Sequence, residues 1–288
     1  MRAHRSFLVS LLSLFATSTA AALALAPSEA RAEWDPVMHR SDLGVDMYLW
    51  PARDRGIGGP VVPFVQFEPT DNLFINLRFP MATALDPGDR FRAGLGNPTF
   101  SIWYSDISGR LTWYVGGRAS LPAGLVSDTN WRYSLDHSSR AMGLYDLYLW
   151  ATDTAPFGAL GGIEARLARI FVLRVGGDLT FYPTLRGRRR IGGEYDAGDF
   201  GAMFQIKVEG EFQSRSGPGG GLAVMTWADP TLRYGDRAQT LLMPYFAYDT
   251  QRSFFMRVGA LVAMDPPLGF GLDRGNVASL YLQFGGHL

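Results

Sequence analysis

The feature that most constrains this chain is strict two-residue alternation. It is clearest from Asp199 to Gln213. One parity there reads Asp199, Gly201, Met203, Gln205, Lys207, Glu209, Glu211, Gln213, and the other reads Phe200, Ala202, Phe204, Ile206, Val208, Gly210, Phe212. Successive side chains of a strand point to opposite faces, so this segment has one charged face and one face apolar from end to end. Leu111 to Leu121 repeats the pattern, with Leu111, Trp113 and Val115 opposite Thr112, Tyr114 and Arg118. So do Phe254 to Met264, where Met256, Val258 and Val262 oppose Phe255, Arg257 and Gly259, and the final segment, where Leu280, Leu282 and Phe284 oppose Ser279, Tyr281 and Gln283.

Twelve such strands are predicted, near 41–50, 61–68, 73–81, 94–104, 110–121, 140–151, 170–182, 199–213, 218–228, 240–250, 254–264 and 277–287. Short connections carry turn residues, as in Pro69-Thr70-Asp71-Asn72 and Ser105 to Gly109. They alternate with long ones. Residues 153–169 do not fit this scheme; they suggest an extra hairpin, a small helix or an extension of the seventh strand, so fourteen strands is the competing count.

Alternation alone does not say which face is inside. Three features point the apolar face outward, to lipid. The strands are about ten residues long, which suits a tilted crossing of a bilayer. Aromatic residues cluster near strand ends, as at Trp50, Phe79, Trp103-Tyr104, Phe181-Tyr182 and Trp227, like two interfacial girdles. The opposite faces carry charges in mid-strand, namely Asp46, Arg78, Arg118, Asp146, Arg174, Asp178, Lys207, Glu209, Glu211 and Arg257. These ten are the expected lumen-lining set. A sandwich core would not tolerate them. The fold class is therefore all-β, an antiparallel transmembrane β-barrel of about twelve strands over residues 33–288.

The start of the chain reads as an address. Arg2 and Arg5 precede an apolar stretch from Phe7 to Leu25, and Ala30-Arg31-Ala32 has the form of a cleavage site. Residues 1–32 are thus an expected signal peptide, cleaved after Ala32. The whole chain has 27 basic and 27 acidic side chains; loss of Arg2, Arg5, Arg31 and Glu29 moves the formal charge from zero to −2. No basic excess suggests a nucleic-acid partner. With no cysteine there is neither a disulfide framework nor a thiolate site. Export points to the bacterial outer membrane. The expected partners are its lipid and lipopolysaccharide, the barrel-assembly machinery and a small solute.

Phe91 to Gly124, FRAGLGNPTFSIWYSDISGRLTWYVGGRASLPAG, resembles uncharacterised bacterial outer-membrane barrels of the transporter-like, or MetA-pathway of phenol degradation, type. The matching positions are Gly94, Gly96, Asn97, Tyr104, Leu121, Pro122 and Gly124. The chain departs from that pattern with Asn97 in place of Asp and with Leu288 in place of a terminal aromatic. The resemblance implies a barrel that passes small, in part hydrophobic, molecules.

Candidate chemistry is sparse. His137 and Ser139 would share a face on a strand, as the base and nucleophile of outer-membrane lipid hydrolases do, although Arg140 stands where those families carry Asn. No histidine has metal-ligand spacing, and Gly217 to Gly221 lacks the Lys-Ser/Thr of a phosphate loop. No cofactor is expected. Leu185 to Ile191 is a basic outer-loop cluster that would suit lipopolysaccharide phosphates. The reading is a passive pore without catalysis. The alternatives are a barrel plugged by large inward side chains such as Tyr48, Trp50, Tyr114, Tyr148, Trp150 and Tyr281, serving a structural or surface-binding role, and an outer-membrane lipid hydrolase using His137 and Ser139.

Overall fold

A computed structural model describes residues 36–52, 56–85, 88, 90–123, 129–185, 189–191, 195–197, 200–214, 217–231, 237–250, 253–265 and 277–288. The expected signal peptide and its cleavage site lie outside these, as do residues 186–188 of the basic cluster.

Twelve strands form the wall. They are β1 (Asp42–Ala52), β2 (Gly56–Thr70), β3 (Leu73–Arg78), β6 (Thr99–Ser108), β7 (Leu111–Ser120), β8 (Phe157–Ala168), β9 (Phe171–Pro183), β12 (Phe200–Gln213), β13 (Pro218–Ala228), β14 (Ala238–Asp249), β15 (Phe255–Ala263) and β16 (Ala278–His287). Every neighbour is antiparallel. The first strand pairs with both the second and the last, which closes the ring. Beyond breaks at Phe79-Pro80 and at residues 96–98, β4 (Met81–Leu85) and β5 (Phe91–Leu95) prolong β3 and β6 and extend the wall upward beside β2. A small hairpin, β10 (Arg189–Ile191) with β11 (Tyr195–Ala197), stands apart from the wall sheet.

Closure satisfies the strand backbones without an edge, the condition for a sheet in lipid. The predicted apolar face is outward, but Trp50, Trp103, Tyr182 and Trp227, expected in the interfacial girdles, are instead buried inside. Leu43, Phe100, Ile102, Val115, Phe204, Phe212, Leu222, Phe246 and Leu280 are exposed on the outside, while Asp46, Thr99, Thr112, Glu209 and Glu211 are buried inside. Short turns gather at one end, at 71–72, 109–110, 169–170 and 214–217. This is the turn end; the opposite rim is the loop end.

One predicted strand is wrong. Residues 140–151 are not wall. They comprise the end of helix α1 (Thr129–Ala141), a turn, and a 3-10 turn at Leu147–Leu149, all folded into the barrel. The physical reason is in the composition. Ala141, Met142, Leu144, Leu147, Tyr148, Leu149, Trp150 and Ala151 are buried on both parities, so this stretch has no lipid face and no water face. The missing wall strand is β8, within the stretch that did not fit. Its glycines, Gly158, Gly161 and Gly162, blur the alternation. One strand lost and one gained leaves the count at twelve. The predicted strand 94–104 is also broken, at Gly96-Asn97-Pro98, and the stretch between it and the predicted strand 73–81 contributes to the paired strands β4 and β5.

Glycines in the wall make room for inward rings. A Cβ on Gly176 would lie 2.3 Å from the Tyr114 hydroxyl, and one on Gly162 would lie 2.6 Å from it. Gly176→Ala should therefore cost about 1–3 kcal/mol through overpacking. It should lower the temperature at which the folded band converts to the unfolded band on a gel, and Tyr114→Phe should restore part of the loss.

Candidate functional site

The site is the lumen, and its charges are sorted into layers by strand register. Nearest the turn end, Glu164 of β8 stands opposite Arg174 of β9, which stands opposite Glu209 of β12. Cross-strand neighbours on one face are in reach of each other, and here they ion-pair. Arg174 Nη1 lies 2.7 Å from both Glu209 Oε1 and Glu211 Oε2, and its Nε lies 3.3 Å from Glu164 Oε2. Arg257, from β15, reaches Glu211 Oε2 at 2.7 Å across the bore, and Lys207 pairs with Glu209. The Tyr245 hydroxyl lies 2.9 Å from Glu209 and 2.6 Å from Glu211. Three carboxylates meet three cations, so the layer is neutral and the buried charges are mutually compensated.

The second layer lies toward the loop end. Arg78 donates to Asp46 at 3.0 Å through Nη2 and to Asp146 at 2.9 Å through Nη1. Arg118 pairs with Asp178 at 2.9 Å, and Thr180 donates to the same carboxylate at 3.0 Å. Gln283 donates to Asp46 at 2.8 Å. Gln205 fits best with its amide nitrogen toward Asp178 at 3.2 Å and its oxygen accepting from the Asp146 backbone N–H at 3.0 Å. All ten predicted lumen residues thus lie inside the barrel. Nine come from the wall. Asp146 comes from the inward-folded segment, as do Tyr148 and Trp150.

That segment, residues 142–155, crosses the bore as a strap. Asn97, turned inward by the β5–β6 break, donates through its side-chain amide to Tyr148 O and Ala151 O and through its backbone N–H to Leu149 O. Trp227, on the far wall, donates to Gly143 O at 3.0 Å. Arg78 donates to the Tyr148 hydroxyl at 3.0 Å, and the Arg118 guanidinium lies 4.1 Å above the Tyr148 ring. Each large apolar strap side chain that is fully buried contributes about 1.5–3 kcal/mol. The strap therefore seats mainly by burial, and the polar contacts set its register.

A second obstruction closes the turn end. Val37 N–H donates to Glu164 at 3.1 Å, Gln66 holds Val37 O and Arg40 O, and the Trp103 indole donates to Met38 O at 3.0 Å. Arg40 and His287 both bridge Asp42 and Asp249 at this rim. Beside them a small pocket lined by Arg40, Glu211, Gln213 and Asp249 among others adjoins the lower charge layer.

The hydrolase arrangement is not present. His137 and Ser139 lie on α1, where two positions are about 200° apart around the axis. Both are buried. The His137 ring packs against Trp50 at 4.7 Å and Tyr133 at 6.2 Å, and the Ser139 hydroxyl donates to the backbone oxygen of Asp136. The correction has the same root as the strand error, since a same-face pair on a strand becomes an opposite-face pair on a helix. Among the described residues no group of three or more His, Asp or Glu is arranged to hold a metal ion. The sequence placed Gln205 on the polar face and Asn97 in the family-like signature without giving either a role here, and Glu164, Tyr245 and the Asp42/Asp249/His287 rim were missed. Glu164 was findable, because it sits opposite Phe157, Ala159 and Ile163 in a weak but real alternation.

Arg174 is the shared cation of the lower layer. Arg174→Leu should cost about 3–5 kcal/mol, the range for stripping one partner from a buried ion pair. Urea unfolding followed by tryptophan fluorescence measures this, and Glu209→Gln in the same chain should recover part of the loss.

No protein-family profile matches the sequence, and no curated protein matches it. Solved structures do match in fold. A NanC porin structure aligns with 85% of this chain and 98% of its own, at 8% identity and a TM-score of 0.53. The COG4313 outer membrane channel from Pseudomonas putida F1 aligns with 91% of this chain and 100% of its own, at 13% identity and a TM-score of 0.60. The chain has the closed twelve-stranded architecture of outer-membrane channels.

Proposed function

We propose that this protein is a constricted passive channel of the bacterial outer membrane, passing small solutes without chemistry of its own. The observation that carries the reading is the lumen lining. Charged and hydrogen-bonding side chains follow one another from the Asp42/Asp249/His287 rim through the Glu164/Arg174/Glu209 layer to the Arg78/Arg118 layer. A barrel serving only as a structural element could be filled more stably with apolar side chains of similar volume. The likeness to porin and channel folds supports the reading, as does the resemblance of Phe91 to Gly124 to transporter-like barrels. On that resemblance the solutes include hydrophobic ones. The apolar side chains flanking the strap, Trp50, Trp227 and Leu241, are consistent with this. Residues 1–32 act as the export signal, and lipid, lipopolysaccharide and the assembly machinery are the partners of the barrel's outer surface and its biogenesis.

The lumen cations Arg78, Arg118 and Arg174 are each paired with a carboxylate, so removing one member of a pair should set ion selectivity. Purified protein in planar bilayers should show small unitary currents. Glu209→Gln leaves an uncompensated cation and should shift the reversal potential in a salt gradient toward anion selectivity. Arg118→Gln should shift it the opposite way. A protein that is electrically silent in both wild-type and variant forms would sink the channel and leave the plugged barrel.

A further inference from the structure

The strap is built unlike the wall that it crosses. Among the described residues four non-glycine positions have positive φ, and three of them lie in the strap: Leu144 at 59°, Asp146 at 53° and Asp153 at 57°. The left-handed region costs a side chain such as that of Leu144 about 1–2 kcal/mol, and costs an aspartate less. Backbone strain of this kind persists only where surrounding contacts over-determine it, and it concentrates at switch elements. At its centre the strap presents the wall with two groups of one residue. The Asp146 carboxylate meets Arg78, and the Asp146 backbone N–H meets Gln205.

The wall does not need that carboxylate to neutralise its own charges. Arg78 already pairs with Asp46, and Arg118 with Asp178, so two cations and two anions balance without the strap. The wall nevertheless accommodates a third carboxylate. It also keeps donor capacity in reserve. Arg118 is 7% exposed and lies against the strap's Tyr148, and its Nε is buried without a hydrogen-bond partner. A buried guanidinium N–H with no acceptor is uncommon enough in a folded protein to call for one.

We propose that Arg78, Arg118 and Gln205 form a carboxylate-binding subsite in the wall, which Asp146 occupies as an internal ligand when the bore is closed. A solute bearing a carboxylate and an amide N–H exchanges with Asp146, releases the strained strap and opens the lumen. The chemical class follows from the geometry. The Asp146 N–H and carboxylate are separated by two carbons, the spacing of an N-acyl β-amino acid. Charge-assisted contacts to a guanidinium supply the affinity, and the amide oxygen of Gln205 supplies direction. The opening step deepens the channel reading and rests on it; the binding step does not.

The test uses the folded full-length barrel in detergent, titrated calorimetrically with N-acetyl-β-alanine and with its neutral amide as control. Asp146→Asn keeps a side chain that tolerates positive φ but removes the competing charge. It should bind the acid at least about tenfold more tightly than wild type, and the amide should bind neither. Adding Arg78→Gln to that variant should abolish binding. In bilayers the acid should raise the open probability of wild type. Gly143→Ala should raise it without any probe, because Gly143 has a φ of +65° and its Cβ would lie 2.5 Å from Leu241, so the closed strap is disfavoured while Asp146 is untouched. Equal affinities for wild type and Asp146→Asn, or undiminished binding after Arg78→Gln, would overturn the subsite. Binding as expected with no current from any variant upholds the subsite and overturns the channel.

Discussion

A backbone N–H or C=O left unpaired in hydrocarbon costs several kcal/mol, and this chain avoids the penalty by pairing β1 with both β2 and β16. Everything else depends on that closure. Once the sheet has no edge, each wall strand has one face toward lipid and one toward a narrow bore. Side chains such as Phe204 and Val208 are then stable outside, and Lys207 and Glu209 must find partners inside. The closed wall also fixes register, and register is what places Glu164, Arg174 and Glu209 at one height on three consecutive neighbours.

The interior solves a problem that closure creates. Twelve strands enclose a bore too wide to fill with wall side chains alone and too narrow for bulk water to screen the charges well. Two inserted segments fill it. At the loop end the strap brings apolar bulk, Leu144, Leu147, Leu149 and Trp150, together with one carboxylate. At the turn end residues 36–40 bring backbone groups that satisfy Glu164, Gln66 and Trp103. Between them the ion pairs are mutually satisfied, which makes the lumen polar without being strongly charged. In the proposed channel that balance would link structure to function, since a single neutralised residue changes the field along the bore.

The wall was legible in the sequence because its signal is physical and local. Alternation at Asp199–Gln213 and Phe254–Met264 reports two environments on two faces, and no tertiary information is needed to read it. Legibility failed where an environment was uniform or the side chains were small. Residues 141–151 are buried all round, so their apolar content looked like one more strand. Residues 157–168 are a true strand, but glycines occupy the positions that would have shown its faces. His137 and Ser139 followed the first error. Gln205 was predicted on the correct face, yet its function depends on meeting Asp146 and Asp178, which lie 59 and 27 positions away in the chain.

Local pattern alone fixes the antiparallel barrel, its outward apolar face and the charged face turned toward the lumen. Each of these follows from period, parity and the solvent preference of individual side chains. Long-range packing settles that Asp146 arrives from a strap and not from the wall, that inserted segments occupy both ends of the bore, and that the charges pair in layers. Those outcomes depend on which distant strands become neighbours when the sheet closes, and on what space the closed sheet leaves to be filled. No local pattern encodes either quantity.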